Sequence, residues 1–181
     1  MKKNKGITMV ALVITIIVLI ILSGISVGTA NKIIKSSELE NLKTNMLLIK
    51  VKGKEYIENA NFKLGTNIKS SSDKDNRITA AKEELKEELK EGKEITDEDI
   101  LKNIGITQEN INAYTYYYKL DESNLTNMGL SNVKSDEKNG WYIIKFDIKD
   151  VEVEVYNTLG FEKDGNRYYS LTELQNLNIE F

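Results

Sequence analysis

From Ile7 to Ala30 the chain reads ITMVALVITIIVLIILSGISVGTA without one charged residue, directly after a leader that carries Lys2, Lys3 and Lys5. Fourteen of those 24 residues are Ile, Leu or Val. At about −0.3 to −0.6 kcal/mol each they favour transfer into a bilayer by about 4 to 8 kcal/mol, an upper bound because few would sit at its centre. Wound as a helix rising about 1.5 Å per residue, the run reaches roughly 36 Å, enough to cross a hydrocarbon core of about 30 Å with modest tilt. Basic flanks stay on the cytoplasmic side. The expectation is a single-pass membrane protein with a cytoplasmic amino terminus and an extracytoplasmic carboxy-terminal domain.

The remainder of the 181 residues, about 150, suffices for one compact domain. Lys and Arg number 25 against 28 Asp and Glu, and removing the three leader lysines leaves 22 against 28. That balance argues against a broad electrostatic footprint for nucleic acid. The chain contains neither Cys nor His. Zinc sites built on thiolate or imidazole, Ser-His-Asp triads and Cys-His pairs are thereby excluded, leaving only carboxylate, Lys or Tyr chemistry for catalysis. No constellation of those residues stands out, so neither an enzyme nor a cofactor is expected. With no disulfide available, an exported domain must be held by its core alone.

Leu39, Leu42, Met46, Ile49, Gly53, Tyr56 and Ala60 recur at alternating steps of three and four, the spacing of one helix face. The pattern predicts helix through to about Ala60. The run Met46-Leu47-Leu48-Ile49 spreads apolar surface wider than that stripe, as expected if one side packs on the chain's own head and another on a neighbour. Burial within a large head would give the same periodicity. Gly53 reads as a weak point costing about 1 kcal/mol in a helix interior. Ser70 to Asp75 mark a loop, in which Asp73-x-Asp75-Asn76 matches the start of a calcium loop but lacks its central Gly and terminal Glu. Residues 79–91 read as an exposed helix with Leu85 and Leu89 inward, followed by a short helix at about 97–103 capped by Thr96.

Strand signals occupy the rest. Tyr114, Tyr116 and Tyr118 alternate, as do Tyr142, Ile144, Phe146 and Ile148, and Val151, Val153 and Val155 alternate with Glu152 and Glu154. Half-buried antiparallel strands are expected, reversing at Asn139-Gly140, Lys149-Asp150 and Asp164-Gly165. The tyrosines suit a sheet core or a carbohydrate or partner surface. Ser170 with Glu173 forms a capping box opening a last turn, 171–177. The expected fold class is α+β, a long amino-terminal helix packed on a carboxy-terminal antiparallel meander. Its divisions are a leader (1–6), an apolar helix (7–30), an amphipathic continuation (31–60) and a head (61–181) comprising a helical insert (79–104), a β-meander (113–170) and the short final helix.

The stretch Lys5-Gly6-Ile7-Thr8-Met9-Val10-Ala11-Leu12-Val13 resembles the class III signal of type IV prepilins and pseudopilins, a basic leader ending in Gly followed by an apolar helix that survives cleavage. The resemblance is specific for residues 2–30 and weaker beyond them. It implies the pilin-like version of the fold. It also implies recognition of Lys2, Lys3 and Lys5, cleavage after Gly6 by prepilin peptidase, and methylation of the new amino terminus at Ile7. A small residue suits the scissile position because backbone must approach the protease carboxylates closely. Implied partners are prepilin peptidase, other pilin subunits, the membrane and an inner-membrane assembly platform, with the product a pilus at the cell surface or a related secretion or competence filament. One position departs from the family. The fifth residue of the mature chain is usually Glu, whose carboxylate pairs with a neighbouring amine where an unpaired charge costs several kcal/mol, and here it is Ala11. Some pilin-like chains of Gram-positive type and some tip pseudopilins lack it too. Gly28-Thr29-Ala30 loosely matches a signal peptidase site. The alternative is therefore a membrane-anchored or released extracellular binding module that does not polymerise.

Overall fold

The computed structural model describes residues 9–63, 74–90, 92–96 and 98–177; for 9–14, 17–30, 74–77, 98, 99 and 108 it describes backbone alone. Helix α1 spans Met9–Lys63. Two compact units divide the chain, one taking the helix up to Glu40 and the other spanning Asn41–Asn178. In the second unit α1 is followed by α2 (Lys74–Glu88), β1 (Lys93–Glu94), α3 (Glu98–Asn103), a 3₁₀ turn (Gln108–Asn110), β2 (Thr115–Leu120), α4 (Glu122–Asn127), β3 (Tyr142–Asp147), β4 (Glu152–Lys163), β5 (Asn166–Ser170) and α5 (Leu171–Gln175). The five strands form one antiparallel sheet in chain order. The α+β class is thus as expected.

The membrane expectation requires correction. Among the described residues no helix is long and apolar enough to cross a membrane. Along its 55 residues α1 is not apolar throughout, because exposed Lys32, Lys35, Glu38 and Glu40 follow the uncharged run within less than three turns. The placement of the two ends on opposite sides of a bilayer rested on that span and falls with it. Within the run itself, only the Thr15 and Ile16 side chains belong to the described set.

The strands differ from the half-buried expectation for a reason visible in their register. Tyr118 pairs with Ile144 and Ile144 with Val155, while Tyr116, Phe146 and Val153 line up beside them, so these side chains share one face. That face meets α1, where a Cβ on Gly53 would fall against Ile144 Cδ1 and Val153 Cγ1. Asn45 Nδ2 donates to Tyr142 Oη at 3.5 Å from the same helix. Tyr117 and Ile143 point the other way, into a second core with Ile95, Leu101, Ile104 and Ile106. A sheet covered on both faces loses the apolar-polar alternation of a half-buried strand. This accounts for the successive buried residues Tyr142, Ile143 and Ile144.

Local chemistry sets the reversals. Asp164 and Gly165 adopt φ of 53° and 78°, the pair of positive values that a two-residue hairpin matching strand twist requires. Strand β4 outlasts a register shift between Tyr156 and Phe161. There the buried Asn157 accepts from the Leu159 and Gly160 N–H groups, each at 3.0 Å, and donates to Asn139 O at 3.2 Å. Ser170 and Glu173 form the expected capping box of α5. A second box, Asp121 with Asn124, starts helix α4 inside the stretch 113–170 expected to be β-meander. Helix α2 begins at Lys74, five residues before the expected start, and Lys63 at the end of α1 reaches its Glu84 at 2.7 Å and Glu88 at 3.1 Å.

Candidate interaction surface

Between Asn41 and Lys63, α1 shows two apolar faces. Met46, Ile49, Tyr56 and Ala60, on the face read from the spacing of three and four, are buried, and so is Ile57, which that spacing did not include. Leu47 and Leu48, next to Met46 in sequence, are 47% and 44% exposed, and Val51 is 59% exposed. Helical geometry separates them: Leu47 and Val51 lie four residues apart, hence one above the other on the side away from Met46 and Ile49. Charged side chains frame this outer face. Lys52 lies 2.8 Å from Glu55 and Lys54 lies 3.9 Å from Glu58, spacings at which helix side chains meet.

The outer face continues into a groove of about 600 Å³ floored by Leu47, Val51 and Val153 and edged by Lys50, Lys54 and Glu152. A second groove of about 380 Å³ shares Lys50, Glu152 and Val153 and extends past Lys145, Asp147 and Glu154. Lys50 Nζ stands 3.8 Å from Glu154 Oε2. Thr172 Oγ1 donates to the same carboxylate oxygen. Lys54 donates to the carbonyl of Val151, which adopts φ 57°, a left-handed conformation unusual for a β-branched side chain. Val151 was expected within a strand; it ends the turn before β4 instead.

Of the residues singled out in the sequence, Lys2, Lys3, Lys5, Gly6 and Ile7 lie outside the described residues, as does Asp73. Ala11 sits in α1 with only its backbone described. Asp75 falls in the first turn of α2, in helix instead of the expected loop. Among the described residues no group of three or more acidic side chains could hold a metal ion.

Four of the nine tyrosines, Tyr56, Tyr117, Tyr118 and Tyr142, are buried in the core, and the other five are partly exposed. Tyr117 and Tyr118 are 2% and 0% exposed, and the half-buried Tyr116 ring carries Lys82 Nζ at 4.5 Å from its centroid. Burial raises the Tyr117 hydroxyl to a pKa of about 12, with the Asp147 carboxylate acting in the same direction. Tyr156, half-buried beside this second core, is likewise pushed up by burial first, then by neighbouring Tyr117, and then by the Glu154 and Glu173 carboxylates. Such groups stay protonated at neutral pH and supply no base.

Spacing alone pointed to an outer apolar face at Leu47 and Leu48. The adjoining grooves had no sequence signal, since Val153 and Glu152 reach α1 only through the fold. Comparison with protein-family models, with curated proteins and with solved structures finds no match to this chain.

Proposed function

We propose that this chain is a non-enzymatic structural subunit of a filament of the type IV pilus or pseudopilus kind, with the leader removed after Gly6 and Ile7 methylated. One observation carries the reading: α1 keeps a second apolar face outside its own head, at Leu47, Leu48 and Val51. A helix that served only its head would present charge there, as amphipathic surface helices do. A helix meant to lie against copies of itself needs the second face. The long helix, the antiparallel sheet and the leader Lys5-Gly6-Ile7 support the same reading from separate parts of the chain. Ala11 in place of the usual Glu favours a subunit present in few copies or in mixed fibres, because a buried terminal amine would lack its opposite charge.

The test is the mature amino terminus and its fate. Intact mass of the protein purified from its own cells should show Ile7 with one added methyl, and Gly6→Leu should accumulate the unprocessed chain. A mature species starting at Asn31 would favour the released binding module. A second arm uses Leu47→Lys with Leu48→Lys, which should exclude the subunit from purified fibres while leaving unfolding unchanged, since both side chains are about half exposed. Undiminished incorporation of that variant would refute the role given to the outer face.

A further inference from the structure

Asn139 is the only asparagine of the chain followed by glycine. The fold fixes the second residue of that pair. Gly140 takes φ 81°, and a Cβ there would fall 2.8 Å from Asn157 Nδ2 and 2.9 Å from Asn157 Cγ, so only glycine meets both demands. Asn139 itself is exposed, in a turn that an isolated antiparallel bridge between Asp136 and Gly140 closes. Asp136 organises the turn. Its Oδ1 accepts from the Lys138 N–H at 2.9 Å and the Asn139 N–H at 2.8 Å, and its two carboxylate oxygens stand 2.9 and 3.0 Å from Asn139 Nδ2. The Asn139 carboxamide thus donates to a charged acceptor, the stronger class of hydrogen bond.

Asparagine before glycine is the pair most prone to deamidation, because glycine has no side chain to keep its backbone nitrogen from the neighbouring carboxamide carbon. In that reaction the Gly140 nitrogen gives its proton to water and bonds to Asn139 Cγ, while the Cγ–Nδ2 bond breaks and the nitrogen leaves as ammonia. Water then opens the five-membered imide. Opening at Cγ gives aspartate, and opening at the backbone carbonyl carbon of residue 139 gives isoaspartate, whose main chain is longer by one carbon. The balance is one water consumed and one ammonia released. Ring closure takes Asn139 Cγ out of plane and turns it onto the backbone, which competes with the hold of Asp136 on the carboxamide. An ionised Asp136 has no proton to lend the departing nitrogen.

We propose that Asn139–Gly140 is a site of spontaneous deamidation, slowed by the Asp136 carboxylate, whose isoaspartate product releases the irregularity of β4 at Asn157. The new carboxylate cannot donate and faces Asp136 where the carboxamide did. The added main-chain carbon displaces the carbonyls of residues 139 and 140. Both accept from Asn157 Nδ2, at 3.2 and 3.4 Å. Asn157 is 1% exposed, and its Oδ1 accepts from the Leu159 and Gly160 N–H groups at 3.0 Å each. Losing its own acceptors leaves a buried donor unmet, which costs more than the hydrogen bonds themselves and frees the two amides it held. Isoaspartate does not return to asparagine, so the converted fraction rises with the age of the chain. The site does not depend on the filament reading.

The test incubates the full chain, dispersed in non-ionic detergent, at mildly alkaline pH beside a synthetic peptide of residues 134–144, with conversion followed by peptide mass mapping. The folded chain should convert at Asn139 at least tenfold more slowly than the peptide. Asp136→Asn keeps an Oδ1 for the two N–H groups and removes the charge. It should convert about tenfold faster than the natural chain, the weight of one hydrogen bond to a charged group, and ahead of every other asparagine. In the purified isoaspartate form, amide exchange should quicken at least tenfold at Leu159 and Gly160 and stay unchanged at Ile144. Equal conversion in folded chain and peptide overturns the proposal, and that comparison needs no variant to fold. So does a folded Asp136→Asn chain that converts at the natural rate or first at another asparagine, or an isoaspartate form with unaltered exchange at Leu159 and Gly160.

Discussion

Substituting Gly53 with Ala isolates how closely α1 lies on the sheet. In an isolated helix the change would stabilise by about 1 kcal/mol. Here the new Cβ would sit 3.1 Å from Val153 Cγ1 and 3.5 Å from Ile144 Cγ1, and still nearer to Ile144 Cδ1. Carbon atoms at optimal contact are about 3.5–4.0 Å apart. Ile144 is fully buried, so its terminal methyl cannot retreat into solvent. Overpacking of this kind costs about 1–3 kcal/mol. The expected net effect of Gly53→Ala is therefore a destabilisation of about 0–2 kcal/mol, opposite in sign to helix propensity.

Ile144→Val removes the obstructing methyl at a cost of its own of about 0.5–1.5 kcal/mol. Combined with Gly53→Ala it should recover most of that loss, giving a favourable coupling of about 1–3 kcal/mol between two residues in contact. Urea unfolding followed by the fluorescence of Trp141, the single tryptophan, measures all four proteins, and an unchanged m-value certifies the comparison. Stabilisation by Gly53→Ala near 1 kcal/mol, additive with Ile144→Val, would refute the close approach.

Four further outcomes are expected. Among the described residues the buried Tyr118 hydroxyl has no hydrogen-bond partner, and its ring meets Phe146 edge-on at 5.9 Å, so Tyr118→Phe should raise stability by about 1–3 kcal/mol in urea unfolding; a loss would reveal a partner. Hydrogen bonds from the Asn124 N–H and then the Ser123 hydroxyl hold the Asp121 carboxyl below its ordinary 3.8. Burial pulls Glu173 upward, but the Ser170 and Tyr169 N–H groups outweigh it and leave its carboxyl below 4.5. Folded values below unfolded ones contribute stability that is present above about pH 4.5 and lost as pH falls through the folded values, so acid should destabilise the protein and Asp121→Asn should flatten that slope. At the alkaline end the Tyr117 shift has the opposite sign, with stability complete below pH 10 and lost towards pH 12, visible as tyrosinate absorbance rising together with unfolding. Val151→Asn should stabilise by about 1 kcal/mol in thermal or urea unfolding, since Asn tolerates the left-handed conformation that costs a β-branched residue about 1–2 kcal/mol; destabilisation would show that the Val151 side chain contributes more packing than its backbone costs.

Local chemistry made part of this protein legible from sequence. The recurrence of Met46, Ile49, Gly53, Tyr56 and Ala60 identified the inward face of α1, and Ser170 with Glu173 identified the start of α5, because helix periodicity and caps act over four residues or fewer. Asp164-Gly165 identified its hairpin for the same reason. The extra width of Met46-Leu47-Leu48-Ile49 signalled an outer face before any fold was known, though not what adjoins it. Tertiary structure decided the rest. Ile143 and Tyr117 read as off-pattern until a second layer from α3 and its flanking loops covers the far side of the sheet. Gly53 read as a weakness in a helix and is a point of close contact with Ile144, a residue 91 positions away. Strand β5 starts its pairing with β4 at Tyr156, a consequence of strand lengths and of the shift near Asn157. No property of residues 152–155 encodes where that pairing begins, since the neighbours of a strand are assigned by the whole chain.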